Sequence, residues 1–466
     1  MTGTTTAGDA VAHLLRRLGV VRTFGIQLGE LAVVPCEDPD VAVLLADCEG
    51  RLNGAFGAAM LDEAILHISS QPGGTANPLL VESISELAPH CAALGYETVP
   101  STAAFFLDFD LDAPLTEADQ LAMREPPPVP EVIARLDESF ADLNVVVIVG
   151  SGVVRSEAQD VLAKFCAQSG HGVFNTWGAK GIFRWDDPRH LGTIGLQSQD
   201  FALAGAHEAD LVITSGVDRF EASPDLIGSY VIHDSPPDHL AAMVATWSPR
   251  ESGQHPLERG FYDIVAGLLR PLYEMSSGPV NPARAALQLS GASPHGGVVC
   301  CDAGRAGFWV ARAYPTGIVD SVLVPARREP GTAVAGALVA TLQGRPALAV
   351  LDEDLDERGI EMTQRVIETA RSLGANLSIQ SWGEGVTTPD EHVEMCTHAF
   401  AGGPEQWHHV GLDHSAFESL VDLAGPVVAW GGIEVESESR DPGLFDSELF
   451  DSGSLDRGLF DSELFD

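Results

Sequence analysis

The chain is poor in basic residues and above all in lysine. Only Lys164 and Lys180 occur among 466 residues, and 26 Lys and Arg in all face 67 Asp and Glu. The formal charge of -41 argues against phosphate-rich partners, because nucleic acid and anionic membrane surfaces would both be repelled. Cysteine is sparse as well. Cys36, Cys48, Cys91, Cys166, Cys300, Cys301 and Cys396 are odd in number, lack a metal-finger spacing and follow no secretory signal. Reduced thiols in a cytoplasmic protein are therefore expected rather than a disulfide framework. No apolar run approaches the roughly 20 residues needed to cross a bilayer, so a soluble protein without a membrane partner is expected.

What the chain does have is a repeated alternation of short apolar runs and glycine turns, over a length suited to about three domains of 100 to 200 residues. The first unit, 1–124, opens with a helical spacing from Asp9 that stops at Gly19, followed by a strand from Val20 to Ile26. Val41 to Ala46 reads as a second strand ending at Asp47-Cys48-Glu49, and Gly54 to Met60 as a small-residue helix. Ala64 to Ser69 reads as a buried strand before the tight turn Gln71-Pro-Gly-Gly-Thr-Ala-Asn77. Glu125-Pro-Pro-Pro-Val-Pro130 is a stiff linker. The second unit, 131–277, enters a sheet through Val145-Val-Val-Ile-Val-Gly150-Ser-Gly152, where Arg155 stands in place of the third glycine of a dinucleotide fingerprint. The third, 278–432, has a strand Val298–Cys301, then Asp302-Ala-Gly304, and a small-residue helix from about Gly331 to Leu342. A strand from Ala347 to Leu351, a helix near Met362 to Leu373 and a strand from Leu377 to Ser381 complete the reading.

Beyond Gly432 the composition changes. In 433–466 the nonapeptide Gly443-Leu-Phe-Asp-Ser-Glu-Leu-Phe-Asp451 recurs identically as Gly458 to Asp466. Its underlying five-residue step matches neither the 3.6-residue period of a helix nor the 2.0-residue period of a strand. This acidic tail is expected to be disordered: either a segment whose repeated weak contacts dock on a protein partner, or a solvated tail without one.

The order of the three units, over about residues 8 to 432, resembles thiamine diphosphate-dependent enzymes of the acetolactate synthase and 2-oxoacid decarboxylase type. The resemblance implies an α/β protein of three domains with mostly parallel, doubly wound sheets. It also implies a homodimer or tetramer, with thiamine diphosphate and Mg2+ held between the first domain of one subunit and the last domain of another. Glu49 takes the family's glutamate position, between a strand and a helix, whose carboxyl activates the cofactor's pyrimidine; without that context it is a helix-start glutamate favoured by the dipole. Gly73, Gly74, Asn77, Gly304 and Gly331 take the positions where backbone approaches the cofactor.

The third unit departs from the family pattern. Where the family has Gly-Asp-Gly, this chain has Asp352-Glu353-Asp354, so Glu353 with Asp354 is left to carry the metal, and two acidic side chains stand where phosphate should approach. The amide expected later in the motif is missing near Gly383 and Glu384. His392, Cys396, His398, His408, His409, Asp413 and His414 fall within 23 residues, either a zinc or iron site or ordinary packing around a loop. The expected function is a thiamine diphosphate-dependent lyase or carboligase acting on a small 2-oxoacid. The alternative is a non-catalytic member of the same fold that serves as an assembly subunit.

Overall fold

A computed structural model describes residues 6–74, 76–96, 101–124, 143–228, 232–240 and 260–432. The proline-rich linker and the Leu-Phe-Asp tail lie outside the described residues. The described chain is α/β, with three separate sheets.

The first unit comprises α1 (Ala7–Arg17), β1 (Arg22–Gly25), β2 (Ala32–Pro35), α2 (Pro39–Asn53), β3 (Gly57–Leu61), β4 (Ile65–Ser69), β5 (Leu79–Val81), α3 (Ile84–Tyr96), β6 (Thr102–Leu107) and α4 (Glu117–Arg124). Its sheet runs β2-β1-β3-β4-β6-β5 and is mixed, because β4 lies antiparallel to both β3 and β6.

Two expectations are reversed here: residues 41–46 are helical and residues 57–61 form a strand. A short apolar run does not by itself distinguish a buried strand from a buried helix. The caps decide. The Asp38 carboxylate accepts from the amides of Asp40 and Val41, Pro39 fills the first turn where its missing N–H costs nothing, and Gly54 closes the helix in the left-handed conformation at φ 59°.

The second unit contains β7 (Val145–Val149), α5 (Ser151–Arg155), α6 (Gln159–Ser169), β8 (Val173–Asn175), β9 (His190–Thr193), α7 (Asp200–Leu203), β10 (Leu211–Ser215), α8 (Pro224–Ile227), β11 (Ile232–Asp234) and α9 (Gly260–Glu274). Its five strands are all parallel, in the order β11-β10-β7-β8-β9.

The third unit contains α10 (Pro282–Ala292), β12 (Val298–Cys301), α11 (Arg305–Ala313), β13 (Val322–Leu323), α12 (Thr332–Leu342), β14 (Ala347–Asp352), α13 (Glu357–Ser372), β15 (Ser378–Glu384), α14 (Pro389–Phe400), β16 (Gln406–Leu412) and α15 (Ala416–Ala424). Its sheet is parallel throughout, in the order β13-β12-β14-β15-β16.

The units are joined by buried contacts. On one side a single apolar core runs from β7 and α7 of the second unit to α10, α11 and α15 of the third. Within it Arg312 donates to both carboxylate oxygens of Asp200 at 2.8 Å, and both side chains are almost fully buried. On the other side, a second core joins α2 of the first unit to α12 and α13 of the third. Residues Thr332 to Ala340 of α12 are all buried, which is why this helix has no polar face in its sequence. Each Leu or Val enclosed on this seam contributes about 1.5–3 kcal/mol. Around it Arg365 pairs with Asp38 and Asp40, and Gln343 donates to Asn53 at 3.0 Å. The contact between first and last units is thus made within one chain. Among the described residues no helix is long and apolar enough to cross a membrane.

Candidate functional site

Glu49 lies in the third turn of α2, not between a strand and a helix, and its side chain is fully buried. Its Oε1 is 2.7 Å from Nε of Arg22, yet neither oxygen receives a well-aligned hydrogen bond. Burial pushes the carboxyl up to about 7, against the pull of Arg22. The position after a strand and before a helix is filled instead by Glu37, which follows β2 and precedes the Asp38 cap. Glu37 is exposed. The sequence signal for it was available: Asp38-Pro39 is a helix start, and a glutamate just before it belongs to the turn.

The glycines identified from sequence are approached by protein atoms. Gly73, at φ +84°, faces Arg327, whose Cβ lies 2.8 Å from where a glycine Cβ would be. At Gly74 the same position is 1.7 Å from Thr102 Oγ1. At Gly304 it is 2.0 Å from Asp352 Oδ2, and at Gly331, with φ +82°, it is 2.6 Å from Met362 Cγ and 3.4 Å from Leu44 Cδ2. Asn77 is exposed and takes no part in this arrangement.

Two carboxyls stand at the starts of two helices. Asp352 ends β14 and accepts hydrogen bonds from the amides of Arg305 and Ala306, both at 2.8 Å, so it caps α11. Asp302, which follows β12, accepts from the amide of Ala333 at 2.9 Å in the first turn of α12, while its Oδ2 has no hydrogen-bond partner. Burial raises both, Asp352 to about 6 and Asp302 to about 7, and the neighbouring Asp352 charge adds to the rise at Asp302.

Glu353 and Asp354 do not converge on a common point. The Glu353 carboxylate lies over Gly383, with Oε1 3.6 Å from His409 Nδ1, whereas Asp354 points outward, 70 % exposed and 3.9 Å from Arg305. Among the described residues no three His, Cys, Asp or Glu side chains gather as a metal site. The histidine-rich stretch is likewise dispersed. His392 and Cys396 are buried on α14, with Sγ 3.4 Å from Nε2, and His392 meets Gln288 at 2.8 Å. Burial alone drives His392 down to about 4. His408 and His409 lie on β16 and contact Gln406 and the Glu384 carbonyl. The donor set and the filled glycine cradles do not fit a magnesium-bridged diphosphate.

In the second unit the turn at Gly150 serves strand packing: a Cβ there would come within 2.3 Å of the Gly216 carbonyl oxygen. This unit carries the family signal. A search among curated proteins finds no match. Residues 132–233 match the family model of the thiamine pyrophosphate enzyme central domain, so the similarity to thiamine diphosphate-dependent enzymes lies in the second unit.

Proposed function

We propose that this chain uses the body of a thiamine diphosphate enzyme as a structural or assembly subunit. One observation carries the reading: at the four glycines where backbone would approach the cofactor, the space on the Cβ side is taken or crowded by the chain's own Arg327, Thr102, Asp352, Met362 and Leu44. Thiamine diphosphate is the cofactor of the family, and to use these positions it would have to displace side chains from several elements, two of them part of the core shared by the first and third units. Assembly as a homodimer or tetramer in the cytoplasm, with residues 443–466 recruiting a protein partner, completes the proposal.

Titration of the full chain with thiamine diphosphate and Mg2+ tests it. The expected result is neither binding heat nor a thermal shift. A cofactor present at about 100 times its Kd would stabilise a protein that takes it by about 2.7 kcal/mol, and that outcome overturns the proposal.

A second reading, a lyase or carboligase acting on a small 2-oxoacid, is favoured by the family match and by the exposed Glu37 carboxyl at the strand-to-helix turn. Glu353 and Asp354 would then be the metal ligands. Turnover of a 2-oxoacid by the chain supplied with both cofactors would establish it.

A further inference from the structure

The first turn of α11 presents the free amides of Arg305 and Ala306, and both are taken by one side chain from β14, Asp352, 46 and 47 residues along the chain. A carboxylate receiving two amides at the positive end of a helix is held as an external phosphate would be. A second observation marks the same place as built around an anion. Gly304, immediately before α11, leaves open the space that a Cβ would occupy, and Asp352 Oδ2 lies 2.0 Å from that point. A third is Asp302, 93 % buried with Oδ2 unpartnered, on the same loop and close enough to Asp352 for the Asp352 charge to raise its proton affinity. With both carboxyls in place, a further anion would meet repulsion as well as a filled cradle.

We propose that Asp352 is the resident anion of the third unit: its carboxylate closes the α11 amino terminus from within, and its removal opens a binding site for inorganic phosphate or pyrophosphate. The inference rests on the reading that the body is not loaded with cofactor, and it names the group that shuts the phosphate end. Asp352 therefore has two effects, stabilising α11 as a cap and refusing phosphate.

The experiment compares wild type with Asp352→Gly and Asp352→Ser, all as full chains, by calorimetric titration with inorganic pyrophosphate and by circular dichroism for folding. Serine keeps a short cap where glycine leaves none, so the pair guards against loss of fold. The expected result is no binding by wild type and at least tenfold tighter binding by the folded variants. Adding Gly304→Ala to either variant refills the cradle and should abolish the gain. The backbone there is extended, at φ 162° and ψ -160°, and accepts alanine once Asp352 has gone. Two results overturn the proposal: wild type that binds pyrophosphate as tightly as the variants, or folded variants that bind none. Binding of thiamine diphosphate by wild type is a separate outcome that defeats the assembly reading, whereas variants that refuse pyrophosphate defeat this inference alone.

Discussion

At the scale of single residues, the clearest consequence of burial is at His392. Its imidazole is enclosed between α14 and the Gln288 and Gln380 side chains, and the folded state holds its proton affinity down to about 4 from an ordinary 6.5. The folded protein therefore binds fewer protons than the unfolded chain between those values. The stability from the neutral ring is fully present above about pH 6.5 and is lost as the pH falls through 4. The loss is on the order of 3 kcal/mol, from about 1.4 kcal/mol per unit of pKa. Chemical denaturation from pH 7 to pH 4 should show this decline, and His392→Gln, which cannot titrate, should flatten it. Equal slopes for the two proteins would remove His392 as the cause. Glu49 has the opposite sign: its raised carboxyl favours the folded state at low pH, and that contribution fades as the pH rises through 7.

At the scale of elements, α2 carries the most consequence per residue. Asp38 caps its amino terminus and, with the same carboxylate, pairs with Arg365 on α13, so one side chain fixes both a helix start and the seam between two units. Replacement by alanine should cost about 1–2 kcal/mol from the cap alone, with a further loss from Arg365. Asp38→Asn, which keeps an acceptor but not the charge, should cost less. Urea melts of the two variants give the comparison, and equal losses would mean that the cap contributes nothing.

The same helix shows what could be read from sequence. The valine-rich strand at 145–149 and the Val-Val-Cys-Cys strand at 298–301 are buried on both faces of parallel sheets, so a continuous apolar run was sufficient to find them. Residues 41–46 form an equally continuous run because α2 is enclosed on nearly every side, and only Asp38-Pro39 and Gly54 distinguish the two cases. The acidic turn at Asp352-Glu353-Asp354 was legible as a run of three carboxyls. Its contacts in the fold were not, because the bonds from Arg305 and Ala306 and the contact of Met362 with Gly331 depend on chain crossings that spacing does not record.

At the scale of the whole molecule, the proposed function gives the body and the tail different tasks. Tandem copies of a weak motif raise the effective concentration of each for a common partner. Deleting residues 433–466 should leave the unfolding midpoint unchanged and reduce the assembled species seen by light scattering. An unchanged assembly size would reject a docking role for the repeats.

The seam between α2 and α12 has a consequence for how such a chain can be divided. Leu44, Leu45 and Cys48 on one side, and Val334, Leu338 and Val339 on the other, are buried in the same interior. Translation of residues 1–124 alone would leave the inner flank of α2 wetted, so the amino-terminal unit is half of a joint, and genes that shuffle it would need to carry its counterpart along.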